Sequence, residues 1–265
     1  MKPALLSVIL PSIRPERIPA WMASLDASYQ APWELIVVSP SPVSGNLIAP
    51  QNVQRLRWIQ DWGNPVRCQQ IGLAHCEGDI VHRAVDDSLY LPGQMDRAVA
   101  MLTEDHRLII APKYTETNAS VDRSHKDFQD MRDPKFYDIR YHNQAGSEFC
   151  EPHWKLLNFG ILHADYLRWV GGWDCRFESV AIAELDLAVR LQMAGGMVAL
   201  TDDLVLECDW MPGHEGDHGP MHDAFAPDME RYREIYSTIA CRERIWLDLN
   251  NWKQSPPKWE RRFGK

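Results

Sequence analysis

The sequence predicts an α/β fold, a mostly parallel twisted sheet flanked by helices on both faces. Three observations predict it. Leu5 to Leu10 (LLSVIL) and Trp33 to Ser39 (WELIVVS) are apolar runs of the kind found in strands buried on both faces. Between them, Pro15 to Tyr29 places Ile18, Trp21, Met22 and Leu25 at helical spacing. Runs of the two kinds keep alternating to about residue 112, an order that calls for crossover connections and hence parallel pairing.

Each element follows from local chemistry. Arg14-Pro15-Glu16 opens the first helix, since proline suits the first helical turn. After the second strand, Val53 to Ile59 reads as a weaker third, and Asn64 to His75 as a helix with Val66, Ile71 and Leu73 inward. Asp79 to Val85 (DIVHRAV) is the next strand, followed by a helix over 91–104 and a strand over 107–112. Residues 113–153 are polar, charged and aperiodic, and a loop of that length inside a domain is usually functional or mobile. A strand at Leu157–Leu162, a helix at Ala183–Ala194, strands at Met197–Thr201 and Leu204–Cys208, and a helix at Asp228–Ala240 complete the pattern. The expected organisation is one domain over 1–249, with a nucleotide-binding half (1–112) and an acceptor half (113–249), then a C-terminal surface extension over 250–265.

Composition narrows the function. Among 265 residues, 28 are basic and 37 acidic, a net charge of −9 that disfavours general nucleic-acid binding. No apolar run reaches the length of a membrane span. The six cysteines form no C-x-x-C pair, which suggests reduced thiols and a cytoplasmic setting. There is no G-x-G-x-x-G, no G-x-x-x-x-G-K-[ST] and no G-x-S-x-G, so dinucleotide, P-loop and hydrolase-elbow chemistries lack their signatures. His214-Glu215-Gly216-Asp217-His218 matches H-E-x-x-H formally, but neighbouring Gly and Pro oppose the helix that zinc motif needs.

Val85-Asp86-Asp87-Ser88 places two carboxylates just past the apolar end of a strand, where an α/β sheet presents its ligand site. Hard oxygen ligands there suit Mg²⁺ or Mn²⁺, which can neutralise a diphosphate. Farther on come Gly171-Gly172-Trp173-Asp174 and Ala183-Glu184-Leu185-Asp186-Leu187-Ala188-Val189-Arg190-Leu191. Glu184 lies on the apolar stripe with Leu187, Ala188 and Leu191, which makes it a candidate for a shifted pKa. Asp186 and Arg190 form an i,i+4 pair, expected on the exposed, charged helix face.

Taken in order over residues 4–215, these pieces resemble a family 2-type glycosyltransferase of the GT-A fold. The resemblance implies transfer of a sugar from a nucleotide-diphosphate sugar to a hydroxyl acceptor, inverting, with Mn²⁺ or Mg²⁺ as cofactor. It implies Glu184 as general base, Asp186 as the next acid of that motif, and Asp87 as direct metal ligand, with Asp86 nearer the donor ribose. His214 or His218 would complete the metal site. Pro11, Ser12 and Arg14, at the end of the first strand, match the nucleotide loop, with Ser39 and Arg67 as further donor contacts. Trp173 and Asp174 would face the acceptor, and Trp154, Trp173 and Trp210 are candidates to stack on a sugar ring. Three departures stand out: Val38-Ser39-Pro40-Ser41 replaces the family's Asp-Asp-Gly-Ser, Gln70 replaces an Asn, and Ala183-Glu184 replaces Glu-Asp, which keeps a carboxylate on a side chain one methylene longer. The charge of −9 favours a glycan, a lipid-linked sugar or a small molecule as acceptor over a modified DNA base. A nucleotidyltransferase and a non-catalytic nucleotide-sugar or glycan binder are the rival readings.

Overall fold

The structure, a computed structural model, describes residues 4–43, 47–116, 129–130, 138–139, 154–157, 159–209, 218–238 and 245–264. Strand β1 (Leu6–Pro11) leads through a 3-10 turn into α1 (Ile18–Ser28), and β2 (Trp33–Ser39) and β3 (Val53–Gln60) precede α2 (Pro65–His75). Then come β4 (Ile80–Arg83), β5 (Ser88–Tyr90), α3 (Gln94–Ala100) and β6 (Leu108–Glu116). Three two-residue strands follow, β7 (Gln129–Asp130), β8 (Asp138–Ile139) and β9 (Trp154–Lys155). The rest is β10 (Ile161–His163), α4 (Ala164–Trp169), α5 (Val180–Met193), β11 (Met197–Cys208), α6 (Gly219–Thr238) and α7 (Glu260–Phe263).

The main sheet runs β3-β2-β1-β4-β10-β6-β11-β5, with β7 paired to β6. The β3-β2-β1-β4 half is parallel throughout, as is β6–β11, while β10 and β5 pair antiparallel to their neighbours. Strand β1 shows why the run LLSVIL forms a central strand: Leu6, Val8 and Leu10 enter the core under α1 and α3, and Ile9 enters the core under α2, α5 and α6. The sheet curls, because Tyr90 on edge strand β5 comes within 2.7 Å of His82 Nε2 on β4. The longer strands and helices fall where the sequence predicts them, whereas β5 and α4 match no expected element and β10 and α3 are shorter than expected.

Strand β11 is continuous where two strands were expected; register shifts between Leu200 and Leu206 absorb the polar Thr201-Asp202-Asp203 break. Thr201 Oγ1 fills the gap by accepting from the Lys113 amide at 2.8 Å. Helix α6 begins nine residues before its expected start, because Pro220 sits in the first turn, and Pro227 lies inside the helix rather than at its head. Helix α5 starts at Val180, and the Asp228 carboxylate of α6 fixes the entry of the chain by accepting from the amides of the N-cap residue Ser179 and of Glu178 before it, at 2.6 and 2.7 Å. Most of 113–153 lies outside the described residues, although β6 takes its first four residues as strand.

The segment expected as a surface extension is anchored. Arg67 donates to the Trp252 and Ser255 carbonyls, the latter at 2.8 Å, and the Trp259 amide donates to the Trp62 carbonyl at 2.7 Å. Trp259 is buried as a result. Among the described residues no helix is long and apolar enough to cross a membrane, and Cys68, Cys76, Cys175 and Cys208 are buried and form no disulfide.

Candidate active site at the strand ends

A cleft opens where β1, β2 and β4 end, the edge at which this class of sheet places its ligands. It encloses about 770 Å³ of space, a figure that includes the open solvent at its mouth. Pro11, Ser12, Arg14, Asp86, Asp87 and His218, all singled out from the sequence, line it. One end carries these charged groups and Arg83; the other is largely apolar, with Val38, Pro40, Pro65 and Phe263.

The acid pair is held by the loop after β1. Asp86 Oδ2 accepts from Ser12 Oγ at 2.7 Å and the Ile13 amide at 3.3 Å, and its Oδ1 accepts from Arg14 Nε at 3.1 Å and from Nη2. Both oxygens of Asp86 are therefore committed to organising this loop. Asp87 keeps more freedom, with Arg14 Nη2 at 3.4 Å and His218 Nε2 at 3.8 Å from its Oδ2. Burial alone pushes the Asp87 carboxyl up, but the His218 contact and the Arg14 charge outweigh burial and hold it below the ordinary value.

Asp87 Oδ2 and His218 Nε2 lie 3.8 Å apart; with each about 2.1 Å from an ion that separation corresponds to an angle of about 130°, between the roughly 90° and 180° of an octahedral site, so a small shift of either side chain would be needed for both to bind one divalent ion. His214 lies outside the described residues. Elsewhere, His106, His163 and Asp165 bring ligand atoms within 4.8 Å of one another, at the start of β6 and therefore at the opposite edge of the sheet.

Glu184 is buried at 3% exposure, as its place on the apolar stripe suggests. Its Oε1 accepts from Trp173 Nε1 at 3.0 Å and lies 3.3 Å from Arg83 Nε. Burial raises its pKa, opposed by Arg83 and Trp173. Arg83 borders both the main cleft and the small cavity in which Glu184 sits, so one guanidinium separates this carboxylate from the cleft. Arg83 escaped the sequence reading; a charged residue ending an otherwise apolar buried strand was the available signal.

Several expected site residues do other work. Asp186 is not on an exposed face: it is 1% exposed, pairs with Arg190 at 2.8 Å and accepts from the Tyr236 hydroxyl at 2.8 Å. Arg190 in turn donates to the Val170 and Gly172 carbonyls, tying α5 to the glycine turn. That turn needs glycine twice, since Gly171 and Gly172 have φ of +88° and +69° and any Cβ would meet the Leu247 carbonyl and Gln70 Oε1. Its product is the placement of Trp173 beneath Glu184. Trp173 and Asp174, expected on the acceptor side, are both 2% exposed, and Asp174 is bound by Arg176. Arg67 does not reach the donor cleft, because its guanidinium is spent on Asp61 and the C-terminal carbonyls. Ser39 is fully buried, its Oγ accepting from the Ser41 amide at 3.2 Å, so it stands behind the cleft wall.

No protein-family model matches the chain, and no curated protein matches it in sequence. Solved structures do resemble it. S. aureus TarS 1–349 in complex with UDP is 14% identical, with a TM-score of 0.54 over 87% of this chain and 64% of that one. The same fragment in complex with UDP-GlcNAc is 15% identical, with a TM-score of 0.50 over 80% of this chain and 60% of that one. The chain thus spans less than two thirds of these structures. At this identity the likeness establishes the fold, a mixed α/β sheet flanked by helices.

Proposed function

We propose that the chain transfers a sugar from a nucleotide-diphosphate sugar to a hydroxyl acceptor by an inverting displacement. The observation that carries this reading is the cleft at the strand ends, with an acid pair, two arginines and a histidine at one end and an apolar wall at the other. Such a cleft can take a diphosphate and a base together, and the TarS structures of the same fold hold UDP and UDP-GlcNAc. Glycans, lipid-linked sugars and small molecules are the acceptors compatible with a net charge of −9.

In this reading Asp87 and His218 would hold Mn²⁺ or Mg²⁺, which would supply charge neutralisation at the diphosphate. Asp86 keeps the loop after β1 in place, and Arg14 and Arg83 offer N–H groups to phosphate oxygens. As Arg83 turns to the donor, Glu184 is released to accept the proton of the acceptor hydroxyl. The acceptor oxygen then bonds to the anomeric carbon as the bond to the diphosphate breaks. A second reading, a nucleotide-sugar binder without turnover, is favoured by the burial of Glu184 behind Arg83.

Titration calorimetry with UDP tests the donor site. Affinity should be at least about tenfold weaker in EDTA than in Mn²⁺, because two carboxylates otherwise face the phosphates with one guanidinium between them. Asp87→Ala should lose this dependence on Mn²⁺. Equal affinity in both conditions, unchanged in Asp87→Ala, would remove the ion from the proposal.

A further inference from the structure

The apolar end of the cleft is completed by a part of the chain that the nucleotide-binding half does not contain. Trp259, Arg262 and Phe263, around the short helix α7, line the cleft opposite Val38 and Pro40 from the end of β2 and Pro65 from the start of α2. This segment is held by a dedicated anchor. Arg67 is 5% exposed, saturates its guanidinium between Asp61 and the carbonyls of Trp252 and Ser255, and packs its planar group 5.1 Å from the Trp252 ring. A second clamp joins the segment to the head of α5, where Glu178 accepts from Trp259 Nε1 at 3.1 Å and from Arg261. Phe263 follows on the same turn, its amide donating to the Trp259 carbonyl at 2.9 Å, and its side chain remains half-buried at the cleft.

An independent sign of a ligand sits in the same wall. Gln69 lines the cleft, is 1% exposed, and its Oε1 has no hydrogen-bond partner among the described residues. A buried acceptor left unpaired is disfavoured by about 1–3 kcal/mol, so a turn of the Gln69 carboxamide toward the cleft, where a ligand donor could meet Oε1, would relieve that cost. An apolar slot with an aromatic ring and one unpaired carboxamide acceptor matches a flat heterocycle that carries N–H groups on its edge.

We propose that the C-terminal segment forms the nucleobase wall of the donor cleft, with Phe263 packing on the base and Gln69 Oε1 accepting from its edge. This rests on the donor reading above and adds to it the residues that select the base. Base recognition then depends on a segment far along the chain from the strand ends that hold the phosphates, and Arg67 serves it by holding the segment in place.

The test uses the full chain and two kinds of probe in Mn²⁺: the nucleoside diphosphates UDP, CDP, GDP and ADP, and inorganic pyrophosphate, which can occupy only the charged end. Phe263→Ala should weaken the nucleoside diphosphate that the wild type binds best by about 5- to 150-fold, the range for loss of one base-aromatic stack. Pyrophosphate affinity should stay within about twofold. Phe263→Leu, which keeps apolar bulk without a flat ring, should fall between the two, and unchanged melting of both variants shows that the fold is intact. Unchanged nucleotide affinity in Phe263→Ala overturns this inference and leaves the donor site standing. Equal loss for nucleotide and pyrophosphate also overturns it, since the segment would then only prop the cleft. A wild-type protein that binds none of the four nucleotides overturns the donor reading itself, and this inference with it.

Discussion

Glu184→Gln should lower kcat for sugar transfer by about 10²–10⁴-fold while leaving nucleotide affinity nearly intact, the loss expected when general-base assistance is removed. The substitution keeps the shape of the side chain and its contact with Trp173 Nε1, which lies 3.0 Å from Oε1 in the wild type. It removes the basic oxygen and the negative charge beside Arg83. Because burial raises the Glu184 pKa, the acid limb of the wild-type kcat profile should lie above the ordinary glutamate value of 4.5. Activity falls as pH drops through that raised value, since the base is then protonated. The limb should be missing in Glu184→Gln. If kcat is unchanged and nucleotide affinity drops instead, Glu184 positions Arg83 and is not the base.

Asp186→Ala should destabilise the protein by about 3–5 kcal/mol, because Arg190 would be left charged and unpaired in the core. An exposed i,i+4 pair contributes only about 0.2–0.5 kcal/mol, so the size of the effect distinguishes a buried pair from a surface one. For a chain of this length the melting temperature should fall by about 10 °C. Differential scanning calorimetry reads this directly, with Glu184→Gln as the comparison. Should Asp186→Ala melt with the wild type yet lose transfer, Asp186 would be taking part in chemistry and the pairing with Arg190 would be incidental.

These two residues show what the sequence makes legible and what it does not. Glu184 on an apolar stripe announces its burial, and Asp86-Asp87 after an apolar strand announces the sheet edge, because both signals are local and periodic. Asp186 and Arg190 are equally local, but their spacing says only that they meet; the burial comes from α6, whose Tyr236 covers them from 50 residues away. Trp173 and Asp174 read as surface groups for the same reason, since Gly171-Gly172 identifies a turn without saying what packs over it. Strand β5 was missed because three residues carry too little pattern, and its partner β11 lies far along the chain. The largest misreading, the segment over 250–265, came from composition: Pro256-Pro257 with Lys258, Arg261, Arg262 and Lys265 resemble a solvated tail, whereas Arg67 and Glu178 bind it across 81 or more residues.

The central claim is that this cleft turns over a nucleotide sugar. The most direct measurement is release of nucleoside diphosphate from a panel of nucleotide sugars in Mn²⁺, compared among the wild type, Glu184→Gln and Asp87→Ala. The account predicts that at least one donor is cleaved by the wild type, slowly to water and faster with a hydroxyl acceptor, and that both variants lose this activity. A wild-type protein that binds a nucleotide sugar with the expected dependence on Mn²⁺, yet releases no nucleoside diphosphate with any donor or acceptor, would contradict it and make the chain a binder.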